Sequence, residues 1–283
     1  MKLPFQIDLN GKVAAITGGA GVLCSSFAEA LAACGAKVAI IDRNKENGNA
    51  VVEKITAAGG TAIMVPTDCL DVESLKAAYE VVKSTFGPCD ILINGAGGNN
   101  PRATTDNEYF ETEDLPDPEK KNFFSLQPDG IRFVFDLNVT AAFLTTQIFA
   151  RDMAESGKGG NILNISSMNA YRPLTKIPAY SAAKAAVSNF TQWLAVHFAN
   201  TGVRVNAIAP GFFVSKQNRA LLFNEDGTPT ARTGKILAAT PMKRFGEAEE
   251  LLGGLLWLLS EGATFVTGVV LPIDGGFSAY SGV

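Results

Sequence analysis

Tyr180 and Lys184 are the residues of this chain best placed by type and spacing to do chemistry. They lie in Ile177-Pro-Ala-Tyr-Ser-Ala-Ala-Lys-Ala-Ala-Val187 and stand four residues apart. Small, helix-favouring residues fill the gap, so both side chains are expected on one helical face. An ammonium beside a phenol stabilises the phenolate and lowers the phenol pKa. Tyrosine ordinarily titrates near ~10, and each unit of depression lowers the cost of proton exchange by ~1.4 kcal/mol. Such a pair suits acid–base work at a carbonyl or an alcohol. Tyr-x-x-x-Lys also falls by chance on ordinary helices, so the elements around it decide its meaning.

Those elements alternate along the chain. Apolar runs predict strands at Val13–Thr17, Lys37–Ile41, Thr61–Val65, Ile91–Asn94, Asn161–Ser166, Arg204–Ala209 and Val269–Ile273. Helical patterns fall between them near 22–34, 45–58, 71–86, 134–156, 179–200 and 247–260. Strands that are apolar throughout belong to a parallel sheet covered on both faces. The expected architecture is therefore α/β: one Rossmann domain over residues 1–283, doubly wound, with a seven-stranded parallel sheet and helices on both faces. Two stretches break the rhythm, a loop inserted at about 98–132 and a second at about 212–246. Loops of that length are usually functional, and both leave the carboxyl ends of strands, where ligands bind in such sheets.

Composition narrows the classes further. At 283 residues with 47% hydrophobic content, one large core can be buried without a second domain. A net charge of −4 leaves no footprint for nucleic acid. The cysteines at 24, 34, 69 and 89 match no metal or redox spacing and read as reduced apolar residues. The only histidine, His197, reads as structural, and with no His/Cys ligand set no zinc mechanism is expected. The opening Met1–Asp8 lacks a signal-like apolar stretch, and Leu251–Leu259 is too short to span a bilayer. A cytoplasmic protein without membrane partners is expected.

The first strand runs into Thr17-Gly-Gly-Ala-Gly-Val-Leu-Cys24 and then a helix. Glycines there let the backbone approach a pyrophosphate, which the free amides of a helix N-terminus stabilise. Asp42 ends the second strand, where a carboxylate can hold both ribose hydroxyls of NAD and repel the 2′-phosphate of NADP. Arg43 beside it suits that phosphate, so NAD is expected with NADP left open. Asp68, ending the third strand, could meet the adenine amino group. The small residues of Asn94-Gly-Ala-Gly97, ending the fourth, could lie against the nicotinamide ribose.

Together these residues resemble the short-chain dehydrogenase/reductase family in its classical branch, from about Leu9 to the C-terminus. The resemblance rests on Thr17-Gly18, Asp68, Asn94-Gly-Ala-Gly97, Asn138, Ser166-Ser167, Tyr180-x-x-x-Lys184, Pro210-Gly211 and Asp274-Gly-Gly276. It implies a catalytic tetrad of Asn138, Ser167, Tyr180 and Lys184, the serine lying 13 residues before the tyrosine. Tyr180 would exchange the proton and Ser167 would hydrogen-bond the reacting oxygen. Lys184 would bind the nicotinamide ribose and keep the tyrosine acidic, and Asn138 would hold a water that passes the proton on. The cofactor would further touch Gly18, Gly21, Val22, Leu23, Asp42 and Arg43. At its other stations it would meet Asp68, Cys69, Asn94, Ala96 and Gly97, then Pro210, Gly211 and Phe213. One departure stands out: Val22 and Cys24 occupy positions where the classical branch places glycines, and Gly18-x-x-Gly21 resembles the extended branch with its sugar-nucleotide epimerases.

The segment between Asn94 and Asn138 is long for a classical member. With Met168–Lys176 and Phe212–Arg219 it resembles the fructuronate reductases, also called D-mannonate oxidoreductases. The resemblance implies a sugar-acid substrate, whose carboxylate needs a guanidinium or ammonium and whose hydroxyls need amides. The polar residues available are Asn99, Asn100, Arg102, Asn169, Arg172, Lys176, Gln217, Asn218 and Arg219. Of these, Asn100, Asn169 and Asn218 are expected on hydroxyls, and Arg102 or Arg219 on the carboxylate. Rival readings are a reductase of another keto sugar or polyol, such as a keto-gluconate, and a sugar-nucleotide epimerase retaining its NAD. A third is a nicotinamide-sensing protein without activity, against which the intact tetrad argues. The apolar ending Pro272–Val283 and the resemblance together predict a homotetramer with that tail packed on a neighbour.

Overall fold

Every residue of β1 (Val13–Thr17) is buried, and its side chains alternate between two apolar layers. Ala14 and Ile16 join one layer, Val13 and Ala15 the other. β2 (Lys37–Asp42) divides likewise, with Val38 and Ile40 on one side and Ala39 and Ile41 on the other. This double burial is why these strands read as unbroken apolar runs. β3 (Thr61–Pro66), β4 (Ile91–Asn94), β5 (Gly160–Ile165), β6 (Val203–Pro210) and β7 (Val270–Ile273) complete a seven-stranded sheet. All its pairings are parallel, in the order β3-β2-β1-β4-β5-β6-β7. The order reverses between β1 and β4, which pair Thr17 with Asn94 at their carboxyl ends. Crevices at such a reversal are where doubly wound sheets bind ligands. The computed structural model describes residues 7–214 and 219–282.

The helices cover both faces in a single-domain Rossmann-like arrangement. In chain order they are α1 (Val22–Ala33), α2 (Lys45–Ala57), α3 (Val72–Phe86), α4 (Pro128–Phe135) and α5 (Ala141–Phe149). They continue as α6 (Arg151–Glu155), α7 (Pro178–His197), α8 (Arg219–Leu222), α9 (Ala231–Ala239) and α10 (Leu252–Leu259). Phe27 and Leu31 of α1 pack with Ile55 of α2 and Leu255 of α10 on one face. Leu75 of α3, Phe149 of α5 and Phe190 of α7 cover the other. Phe27 is wholly buried, so truncating it to alanine costs about 3–5 kcal/mol. Local signals set the helix starts: Asn44 caps α2 through the Asn47 amide, Asp71 caps α3, and Pro178 opens α7.

The sequence expectation fails most in the long stretch before β5. The helix expected from 134 begins at Pro128, a residue preorganised for a first helical turn. Between α4 and α5 the rod widens into one π turn, Asp136–Thr140, which carries Asn138. Such turns cluster at functional sites. The inserted segment is not structureless: single 3₁₀ turns form at Pro101–Ala103, Thr112–Asp114 and Phe123–Ser125. The second excursion contains α8 and α9. Lys235 of α9 reaches Glu108 of the insertion at 2.9 Å, so the two segments are joined. Among the described residues, no helix is long and apolar enough to cross a membrane.

Candidate active site

The turn after β1 is held by backbone geometry that only glycine tolerates. Gly18 adopts φ +64°, and a Cβ there would lie 2.9 Å from the Ala96 nitrogen and the Gly95 oxygen. Thr17 ties the same two loops together, its Oγ1 accepting from the amides of Gly95 (3.1 Å) and Ala96 (3.2 Å). Gly21 then opens α1 with no side-chain cap, leaving the first amides of a 12-residue helix without an internal acceptor. The departures at 22 and 24 have separate outcomes. Val22 is exposed at the mouth, whereas Cys24 is buried beneath Gly95, whose added Cβ would meet its Sγ at 2.3 Å. Burial pushes the Cys24 thiol up to about 12, so it is an inert packing group.

From this turn a cavity of about 630 Å³ runs along the carboxyl ends of the strands to Tyr180. Gly18, Gly21, Val22 and Leu23 line it with Asp42, Arg43, Asp68 and Cys69. Ala96 and Gly97 follow, then Tyr180, Lys184, Pro210, Gly211 and Phe213. Asp42 is fixed by two amides, Ala20 to Oδ2 at 3.2 Å and Asn44 to Oδ1 at 2.9 Å. Arg43 leans toward Asp68, with 3.8 Å between guanidinium and carboxylate. Sequence reading missed Thr67, Leu137 and Ile165, which also line the cavity. Their positions, at the ends of β3 and β5 and one residue before Asn138, were the available signal. Asn94 is a correction: its amide donates inward to Thr146 (3.0 Å) and Asn164 (2.8 Å) and does not face the cavity.

At the inner end four side chains converge. Ser167, buried, accepts from the Asn169 amide at 3.2 Å and acts on the Tyr180 hydroxyl, whose pKa it pulls down. Ser166 instead turns to Ser188 (2.7 Å) and the Lys184 carbonyl, which separates the roles of the adjacent serines. Lys184 donates to the Ile165 carbonyl at 2.8 Å and lies 5.6 Å from the centre of the Tyr180 ring. The expected acidification of the tyrosine by this ammonium is overturned. Burial raises the Tyr180 hydroxyl above its ordinary value, and the opposing contribution comes from Ser167. Burial also lowers the Lys184 ammonium to about 8. Asn138 differs from expectation too: its amide is spent on the Gly98 carbonyl and the Val134 carbonyl, 2.7 Å each, while its oxygen accepts from Gly98 at 3.2 Å. It clamps the glycine loop that carries Gly97.

The polar residues expected on substrate divide. Asn169 is buried, two residues beyond Ser167, and its Oδ1 has no hydrogen-bond partner among the described residues. Asn100 uses its Oδ1 to cap the Pro101–Ala103 turn through the Arg102 amide at 2.9 Å. Arg102 is a correction, since its guanidinium is taken by Asp129 within the insertion. Arg219 is exposed and lies over the Phe223 ring at 5.3 Å. Asn218 and Gln217 lie outside the described residues. Arg172 donates to the Ser278 carbonyl at 3.2 Å, so part of the C-terminal tail docks on its own chain.

A serine, a tyrosine and a lysine gathered at the inner end of a crevice on a doubly wound sheet suit an oxidoreductase. The chain belongs to the short chain dehydrogenase family, whose model matches residues 12–225. It is 56% identical over 282 residues to the Bacillus subtilis (strain 168) protein called uncharacterized oxidoreductase UxuB, covering 99% of this chain and 100% of that one. A crystal structure from Haemophilus influenzae, provisionally named a D-mannonate oxidoreductase and holding NAD, superposes with a TM-score of 0.93. That protein is 57% identical, with 98% of each chain covered. The 2-dehydro-3-deoxy-D-gluconate 5-dehydrogenase of Dickeya dadantii (strain 3937) is 32% identical, over 96% of this chain and 97% of its own.

Proposed function

We propose that this chain is an NAD(H)-dependent oxidoreductase that interconverts a sugar-acid ketone and its alcohol, reducing D-fructuronate to D-mannonate. The observation that carries the proposal is the single cavity joining Asp42 at one end to Ser167 and Tyr180 at the other. The residues fit a dinucleotide. The uncapped N-terminus of α1 offers amides to a pyrophosphate, and the twice-held Asp42 carboxylate suits a ribose diol. When bound, the nicotinamide supplies the hydride in reduction and accepts it in oxidation.

The chain's own residues handle the proton. A Tyr180 pKa raised by burial keeps the hydroxyl protonated at neutral pH, ready to protonate the substrate oxygen during reduction. Ser167 donates a hydrogen bond to that oxygen as charge builds on it. Lys184, anchored on Ile165 beside Gly97, is placed to hold a ribose hydroxyl. Asn138 keeps the Gly97–Gly98 wall at its proper distance. The names of the Haemophilus and Dickeya relatives support a sugar-acid substrate, and Asn169 offers a hydroxyl an acceptor.

The test follows NADH and NADPH absorbance with D-fructuronate, 5-keto-D-gluconate and a neutral keto sugar. Rapid NADH oxidation with fructuronate supports the reading; turnover of another ketone alone removes the substrate and keeps the tetrad. A homotetramer is also proposed, supported by the exposed Phe143, Trp193 and Val196 on α5 and α7. A monomeric mass by light scattering would overturn it.

A further inference from the structure

A sugar acid brings a negative charge to the site, and the arginine nearest the insertion cannot receive it because Asp129 already holds Arg102. Two other cations, one four residues before Tyr180 and one on α9, are partly buried and have neither an ion pair nor a side-chain hydrogen bond among the described residues. They are Lys176 and Arg232. A partly buried charge without a partner is costly, and it marks a place where an anion is received.

Three segments bring these cations together. Lys176 precedes α7 and stands four residues before Tyr180, so their Cα atoms are at most about 14 Å apart even in a fully extended chain. Its backbone is left-handed, φ +72°, a conformation that costs a non-glycine residue energy and recurs at ligand sites. The Thr105 amide pins it from the insertion by donating to the Lys176 carbonyl at 2.9 Å. Glu108 follows three residues after Thr105 and binds Lys235 of α9 at 2.9 Å. Arg232 lies three residues before Lys235, on the same helical face. The Glu108 carboxyl is held below its ordinary value, by the Lys235 hydrogen bond first and by the charges of Lys176 and Arg232 as well. Lys235 alone is ion-paired with this carboxylate, while the charges of Lys176 and Arg232 reach it from the two flanking segments.

Resting on the sugar-acid reading above, we propose that Lys176 and Arg232 form the carboxylate-binding subsite and select anionic over neutral keto sugars. The insertion, which supplies Thr105 and Glu108, positions the two cations and holds them short of saturation by an internal acid.

The experiment uses the full-length protein with Lys176→Met and Arg232→Met. Michaelis constants are measured for D-fructuronate and for NADH, with D-gluconate binding by calorimetry in the presence of NAD. Expected is a rise of at least tenfold in KM for fructuronate in each variant, with KM for NADH unchanged within about threefold and the gluconate affinity falling in parallel. Glu108→Gln should lower KM for fructuronate, an effect that a merely structural Glu108–Lys235 contact would not produce. Unchanged fructuronate KM in both methionine variants would overturn the subsite. If the wild-type protein does not reduce fructuronate, the substrate reading fails by itself. The subsite is then judged on gluconate: tenfold weaker binding in the variants sustains it, and equal or absent binding removes it.

Discussion

Replacing Lys184 by methionine should flatten the alkaline rise in stability that this buried ammonium produces. Burial lowers Lys184 to about 8, whereas in an unfolded chain a lysine holds its proton to ~10.4. Between those values the unfolded chain binds more protons than the folded one, so stability increases with pH. The full contribution is present above the unfolded value and is lost as pH falls through 8. Applied between pH 7 and pH 9, the linkage relation gives the wild-type chain a gain of about 1.3 kcal/mol from this residue alone. The thiols of Cys24, Cys69 and Cys89, each pushed up to about 12 by burial, act in the opposite sense above ~8.5. They are common to both proteins and cancel in the comparison. Methionine also leaves the Ile165 carbonyl without its partner, a loss of about 1–3 kcal/mol that does not vary with pH. The assay is urea unfolding of both proteins at pH 7 and pH 9, at one protein concentration. If the two pH differences agree within about 0.3 kcal/mol, Lys184 is not desolvated as described and the reasoning fails.

Three further outcomes are expected. Asp42→Asn should raise KM for NADH by about tenfold to a hundredfold, the equivalent of a charged hydrogen bond, and bring NADPH into use; steady-state kinetics with both cofactors checks this. Tyr180→Phe should lower kcat by about 10²–10⁴ while leaving the circular dichroism spectrum and NADH affinity intact. Gly95→Ala forces a methyl to 2.3 Å from the Cys24 sulfur and 2.7 Å from the Thr17 carbonyl, so denaturant unfolding should show a loss of about 1–3 kcal/mol. Adding Cys24→Gly to that variant should return part of the loss, and no recovery would mean the thiol is not the obstacle.

The sheet was legible because its strands are buried on both faces and carry their signal in consecutive residues. The glycine turn, Asp42 and the Tyr180–Lys184 spacing were legible for the same reason, each being local in sequence. What failed depended on partners far along the chain. Asn94 reads as a cavity residue until Thr146 and Asn164, 52 and 70 residues away, are seen to take its amide. Arg102 reads as a free cation until Asp129, 27 residues on, neutralises it. The Tyr180–Lys184 spacing correctly placed both side chains together but could not show that Ile165 holds the ammonium and that burial dominates the phenol. The start of α4 is hidden because Pro128 follows a polar loop and carries the same signal at a loop's end as at a helix's first turn.

The π turn at Asp136–Thr140 has a consequence for how this chain can change by insertion and deletion. Each residue of an α-helix advances about 100° around the axis, from ~3.6 residues per turn. The wide turn therefore works as a phase shifter between α5, whose Thr145 and Phe149 are buried against the sheet, and α4, whose Val134 is buried on the insertion side. Lengthening the exposed tip of the insertion, at 115–119, adds chiefly closure entropy, about 0.6 kcal/mol for each doubling. One residue gained or lost inside the turn would instead rotate α4 by about 100° relative to α5 and swing Asn138 off Gly98. The tip of the insertion is free to drift in length, while the five residues of the turn must keep their count.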